Sequence, residues 1–168
     1  DEQLLVPAFL AAHPDLPPAS PERQERALLL RGLEAQRTGA LEEAESLLRR
    51  IPAGSPLAPR ARYALGIVLS DPRRPGGPRM QAALDEFQAV LGYGGGGREG
   101  AETRALAQLG IARLLYGQRQ DAASAAAYDR VPRDSRVWPA APSTARSPRW
   151  VCSMAPTRPR WSAPPLAA

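Results

Sequence analysis

"GALEEAESLLRRIP", residues 39–52, has a looser relative in "QDAASAAAYDRVP", residues 120–132. The first stretch puts glutamates in its opening turn and arginines in its last, which complements a helix dipole, and a proline closes it. Leu41, Ala44, Leu48 and Ile51 recur at steps of three and four, one apolar stripe on a short helix. Ser124, Ala127, Tyr128 and Val131 repeat the stripe with smaller side chains. Met80, Leu84, Phe87 and Leu91 supply a third copy between them. Leu48, Phe87 and Tyr128 correspond at spacings of 39 and 41 residues, and Ile51, Val90 and Val131 keep step. Ala44, Ala83 and Ser124 place a small residue one turn earlier in each copy.

Each copy has a helical partner before it. "SPERQERALLLRGLEAQRTG" opens with Ser20 as N-cap and Pro21 at the first helical position, where the missing N–H costs nothing. "SPLAPRARYALGIVLS" reads as the same device at Ser55 and Pro56, with Ala61, Leu65, Val68 and Leu69 on one face. "AETRALAQLGIARLLYG" sets Ala105, Leu109, Ala112 and Tyr116 on one face. The turns "RTG" and "GQRQ" join the first and third pairs, whereas "SDPRRPGGPR" enters the second as an insertion expected to loop outwards. No alternating β-branched run predicts a strand. A helix pair recurring at about 40 residues is the signature of a solenoid, because neither helix buries its stripe alone and stacked neighbours make the core continuous.

These pairs resemble the tetratricopeptide repeat family. The family's small residue in the first helix is matched by Gly32 and Gly66, with Gly110 or Ala112 in the third pair. Its early alanine in the second helix is matched by Ala44 and Ala83, with Ser124 departing, and its bulky position by Leu48, Phe87 and Tyr128. Its closing proline is matched by Pro56 and approximately by Pro132. "LLVPAFLAAHPDLP" near the start is similar to the end of a preceding second helix, so the resemblance covers residues 3–138. It implies an all-α, right-handed α-solenoid of about three antiparallel helix pairs over residues 1–134, with residues 135–168 as an irregular tail. It also implies a non-enzymatic scaffold whose first helices line a concave groove for a protein or peptide partner. The groove positions are Arg26, Leu29, Leu33, Arg60, Tyr63, Ile67, Arg113 and Tyr116. Arginine and tyrosine suit such a surface by offering planar donors and large contact area; packing in the core is the alternative role of Tyr63 and Tyr116. A lysine-based carboxylate clamp is excluded, since all 22 basic residues are arginine, a usage that points to a GC-rich bacterial genome.

Charge and composition narrow the function classes. The net charge of +5 invites a nucleic-acid partner. Residues 1–134 nonetheless hold 17 arginines against all 17 acidic residues, so the surplus sits wholly on Arg136, Arg146, Arg149, Arg158 and Arg160. Residues 139–168 contain seven prolines and no acidic residue. They read either as a disordered arm for an acidic partner, nucleic acid or a proline-binding domain, or as the product of a shifted reading frame, and the composition favours the second. No apolar run reaches the roughly 18 residues of a membrane span. The chain lacks an initiator Met and a leader, which reads as a start downstream of a missing segment and leaves envelope and cytoplasm equally open.

Candidate chemistry is sparse. His13 is the sole histidine and Cys152 the sole cysteine, neither with partners for catalysis or metal binding. "GYGGGGREG", residues 92–100, contains a G-x-G-x-x-G spacing but follows a helix and precedes no lysine, so a flexible linker is expected rather than a phosphate loop. Glu42, Glu43 and Glu45 read as a solvated acidic turn. No cofactor, metal or catalytic residue is expected.

Overall fold

The computed structural model describes residues 20–138. Among them lie six helices and no strand: α1 (Pro21–Thr38), α2 (Leu41–Arg49), α3 (Ala58–Ser70), α4 (Met80–Leu91), α5 (Gly97–Gly117) and α6 (Asp121–Asp129). The chain divides into two compact units at Glu86 and Phe87, so α4 contributes its first turns to one and its last to the other.

In the first unit α1 packs on α2, α2 packs on α3, and α1 also meets α3. Ser20 caps α1 as its spacing predicts, its Oγ accepting from the Arg23 N–H at 3.4 Å. Gly39 ends α1 in the left-handed region, φ 85°, where a Cβ would be strained. The chain then turns back so tightly that a Cβ on Gly32 would stand 2.8 Å from Leu48 Cδ2. That missing atom lets Leu48, 2% exposed, settle directly on the α1 backbone. Leu41, Ala44, Leu48 and Ile51 are all buried, as are Ala61, Leu65, Val68 and Leu69 on α3.

Two expectations change in this unit and a third along α4, whose last turns belong to the second. The Ser55–Pro56 device does not cap a helix starting at Pro56, because α3 begins at Ala58. Ser55 Oγ instead accepts from the Leu57 N–H at 3.1 Å and donates to Glu25 on α1 at 2.5 Å, binding the turn to the first helix. The 71–79 insertion does not simply loop outwards. Arg79 N–H closes it on the Leu69 carbonyl at 2.7 Å, and Arg74 turns inward to 7% exposure. On α4 the buried residues are Ala83, Leu84, Phe87 and Val90, while Leu91 is 37% exposed. Val90, the position that keeps step with Ile51 and Val131, takes the inward place instead of Leu91.

In the second unit α5 packs on α6, and Ser124, Ala127, Tyr128 and Val131 are buried as predicted. α5 starts four residues before the expected Ala101. The glycine segment ahead of it is tied down rather than loose: Arg104 donates from one Nη to the carbonyls of Tyr93 and Gly95, both at 3.0 Å. Gly110 does not do in this unit what Gly32 does in the first. It receives the Phe87 ring, whose Cζ would lie 2.9 Å from an added Cβ.

The first and third hairpins match in their turns and second helices, 80 positions apart. α2 and α6 each run nine residues, from 41 to 49 and from 121 to 129. Gly39 and Arg119 both take positive φ, 85° and 63°. Ala40 N–H bonds the Ala35 carbonyl at 2.8 Å, and Gln120 N–H bonds the Leu115 carbonyl at 3.0 Å, the same Schellman closure. The turn after each second helix matches too. Ser55 N–H bonds Pro52 and Ala58 N–H bonds Ser55, just as Ser135 N–H bonds Pro132 and Trp138 N–H bonds Ser135. In this register Ala112, not Gly110, is the counterpart of Gly32.

Candidate functional site

The predicted groove residues fall into the two units separately. In the first, Arg26 and Arg60 are exposed, and Leu33, Tyr63 and Ile67 are half-buried. Arg26, Leu29 and Leu33 follow one helical spacing on α1, and Arg60, Tyr63 and Ile67 follow the same spacing on α3, the helix that α1 meets. Leu29 is the exception, because at 3% exposure it is a core residue with no side-chain surface to offer. In the second unit Arg113 is exposed and Tyr116 half-buried, both beside Tyr128 of α6. Burial pushes the Tyr128 phenol up, and the Arg113 guanidinium works against that rise. Arg113 is thus engaged with the neighbouring helix of its own hairpin.

A feature that sequence reasoning missed lies on the other side of α3. Glu45, expected as part of a solvated acidic turn, is the centre of an ion-pair network. Arg74 approaches it at 2.6 Å, Arg49 at 3.0 Å and Arg79 at 3.6 Å. Arg49 also faces Glu86 at 3.9 Å, and Glu86 is paired with Arg62 at 2.9 Å. Partial burial is the largest single influence on Glu45 and raises its pKa, yet the hydrogen bonds from Arg49 and Arg74 outweigh it and hold the carboxyl below its ordinary value. Arg74 lies inside this network with its Nε and one Nη buried and unbonded.

Beside the network is a cavity of about 260 Å³. Leu48, Ile51, Ala58, Ala61 and Leu65 make its apolar floor, and Arg49, Arg62 and Glu86 its polar rim. Only the glutamate-to-arginine spacing within α2 was visible in the chain. The rest depends on a turn, an insertion and two further helices folding back to α2.

Among the described residues no three His, Cys, Asp or Glu side chains gather as metal ligands, and no helix is long and apolar enough to cross a membrane. His13, Cys152 and the arginine-proline stretch from residue 139 lie outside the described residues. Compared with protein-family models, with curated proteins and with solved structures, the chain matches none.

Proposed function

We propose that this chain is a non-enzymatic scaffold. In this reading its hairpins stack as a right-handed α-solenoid resembling tetratricopeptide repeats, and the face of the first helices receives a protein or peptide segment. The supporting observation is the order of packing in the first unit. α1 lies against α2, α2 against α3, and α1 again touches α3, so Arg26 and Leu33 stand on a helix adjacent to the one carrying Arg60, Tyr63 and Ile67. Two arginines with aliphatic and aromatic neighbours form a surface that binds by contact area and planar hydrogen bonding, with no group poised for bond making.

The test is a panel of displayed peptides selected on the purified chain. Arg60→Glu combined with Tyr63→Ala should weaken the selected peptides by about thirtyfold, the scale of one interface hot spot. Arg130→Glu, at the exposed end of α6, should leave them unchanged. Deleting residues 139–168 should also leave binding intact. A partner lost with that deletion, and bound with a steep salt dependence, would instead assign recognition to phosphates and the arginine tail.

A further inference from the structure

We infer that residues 71–79 form a strap latched by one ion pair, Arg74 to Glu45, and that protonation of Glu45 opens it while the helices on either side stay folded. Those helices have their own anchors. Val68 and Leu69 at the end of α3, and Ala83 and Leu84 at the start of α4, are all buried. The strap adds no such contact. Arg74 alone among residues 71–79 is buried, and Pro72, Pro75 and Pro78 stand exposed.

The backbone hydrogen bonds of the strap are local. Arg74 N–H donates to the Asp71 carbonyl at 3.1 Å, and Gly77 N–H donates to the Arg74 carbonyl at 2.9 Å. At the neck, Arg79 N–H reaches the Leu69 carbonyl. None of these bonds ties the strap to α2. That tie is the Arg74 guanidinium, 2.6 Å from Glu45. A segment with so little buried apolar area belongs to the low-stability end of a fold and opens without the rest.

The trigger follows from which partner can lose its charge. Arginine stays protonated in a protein, so only the carboxylate side can switch. Glu45 is faced by Arg49 of its own helix at 3.0 Å and by Arg74 and Arg79 of the strap at 2.6 and 3.6 Å. Arg49 also lies 3.9 Å from Glu86 of α4, which pairs with Arg62 of α3 at 2.9 Å. Once Glu45 takes up a proton, the Arg74 side chain, 5% exposed, is a buried cation that has lost its counter-ion. Moving into water relieves that charge, and a strap without an apolar hold permits the movement.

The direction with pH is fixed by the same contacts. Burial raises the Glu45 pKa, but the hydrogen bonds from Arg49 and Arg74 lower it further, so it lies below 4.5. The latch is therefore fully engaged above pH 4.5 and is lost as pH falls through the folded value. Asp71 is the carboxylate on the strap itself. It pairs with Arg73 at 2.7 Å, and the Arg73 hydrogen bond holds its carboxyl low as well. Its contacts stay within the first turn of the strap, which makes it the natural control.

The experiment is an acid titration of the full chain, from about pH 7 to about pH 2, followed by ¹⁵N NMR and helical circular dichroism. The probes are the hydrogen-bonded Gly77 amide and the buried Arg74 Nε–H. Below pH 4.5 their exchange, corrected for the intrinsic rate, should accelerate about a hundredfold, the scale of losing a buried ion pair. The amides of α2, α3 and α4 and the helical signal should hold. Glu45→Gln should show the fast exchange at every pH. Should that variant fold poorly, Arg74→Met, which fills the slot without the charge, should keep the Gly77 amide slow throughout. Asp71→Asn should retain the transition. Strap exchange that is unchanged in acid, or that rises together with the helices, would overturn the inference. So would a slow Arg74 Nε–H in Glu45→Gln, a pH-dependent Gly77 amide in Arg74→Met, or a transition lost in Asp71→Asn.

Discussion

The α1/α2 and α5/α6 hairpins follow the same backbone 80 positions apart, yet they are held closed by different chemistry. In the first, the absent Cβ of Gly32 admits Leu48, and the buried contact there is aliphatic, with an exposed ion pair of Arg31 to Glu43 at 3.8 Å beside it. In the third, Ala112 stands where Gly32 was, and the helices are joined by polar contacts. Ser124 donates to the Ala112 carbonyl at 2.9 Å, and Gln108 donates to the Ala127 carbonyl at 3.0 Å, both buried. Ala127 stands where Leu47 was and buries less apolar area, a shortfall counted at about 25 cal/mol per Å², whereas Tyr128 keeps the bulky position of Leu48. Buried side-chain hydrogen bonds offset part of it, each contributing about 1 kcal/mol net. One backbone template therefore tolerates two kinds of glue, provided each keeps a small residue at the crossing.

The largest test of this difference lies outside the crossing. Glu45 of α2 answers three arginines, whereas its counterpart on α6 is Ala125. Glu45→Gln should cost about 3 kcal/mol in urea unfolding, because Arg74 is left as an uncompensated buried charge. Ala125→Glu, at a half-buried position without that network, should cost under about 1 kcal/mol. The same carboxyl gives a pH dependence. Its folded pKa lies below the ordinary 4.5, so its contribution is full above that value and is lost as pH falls through the depressed folded pKa. Acid titration of Tm should show a loss below pH 4.5 that Glu45→Gln removes.

Two of the tight glycines should rank next. Gly110→Ala meets three atoms of the rigid Phe87 ring at 2.9–3.2 Å, and about 2 kcal/mol of destabilisation is expected from overpacking. Gly32→Ala meets Cδ2 and Cγ of the buried Leu48 at 2.8 and 2.9 Å, so that flexible side chain must shift, while the helix gains up to about 1 kcal/mol from alanine's propensity. A net cost near 1 kcal/mol follows; a larger cost for Gly32→Ala than for Gly110→Ala would contradict the packing described. The smallest effect reverses sign between hairpins. Arg119 occupies the left-handed region without being glycine, so Arg119→Gly should stabilise by about 1 kcal/mol, and Gly39→Ala should destabilise by a similar amount. Thermal unfolding of both variants measures the pair.

Helix pairing was readable in the chain because the stripes at 41–51 and 124–131 each hold their side chains inside. The start of α5 was not, since Gly97 and Gly100 are poor helix formers, and that start is secured by Arg104 reaching back to two loop carbonyls. Leu29 and Leu33 look alike in sequence as groove candidates, but the way α1 lies on its neighbours buries one and leaves the other half-open. The Glu45 network was hidden for a related reason. Prolines and glycines at 72–78 advertise a loop, while the inward turn of Arg74 is decided by a carboxylate nearly 30 positions earlier. Local pattern fixes which residues coil; partners distant along the chain fix which of them become a site.

The matched bonding of the segments 39–58 and 119–138 makes them interchangeable cassettes for protein engineering. Each segment opens on a positive-φ residue, Gly39 or Arg119, and closes on the same two turn hydrogen bonds. A second helix with its flanking turns is thus a unit that can be exchanged between the two hairpins, its adhesive chemistry going with it.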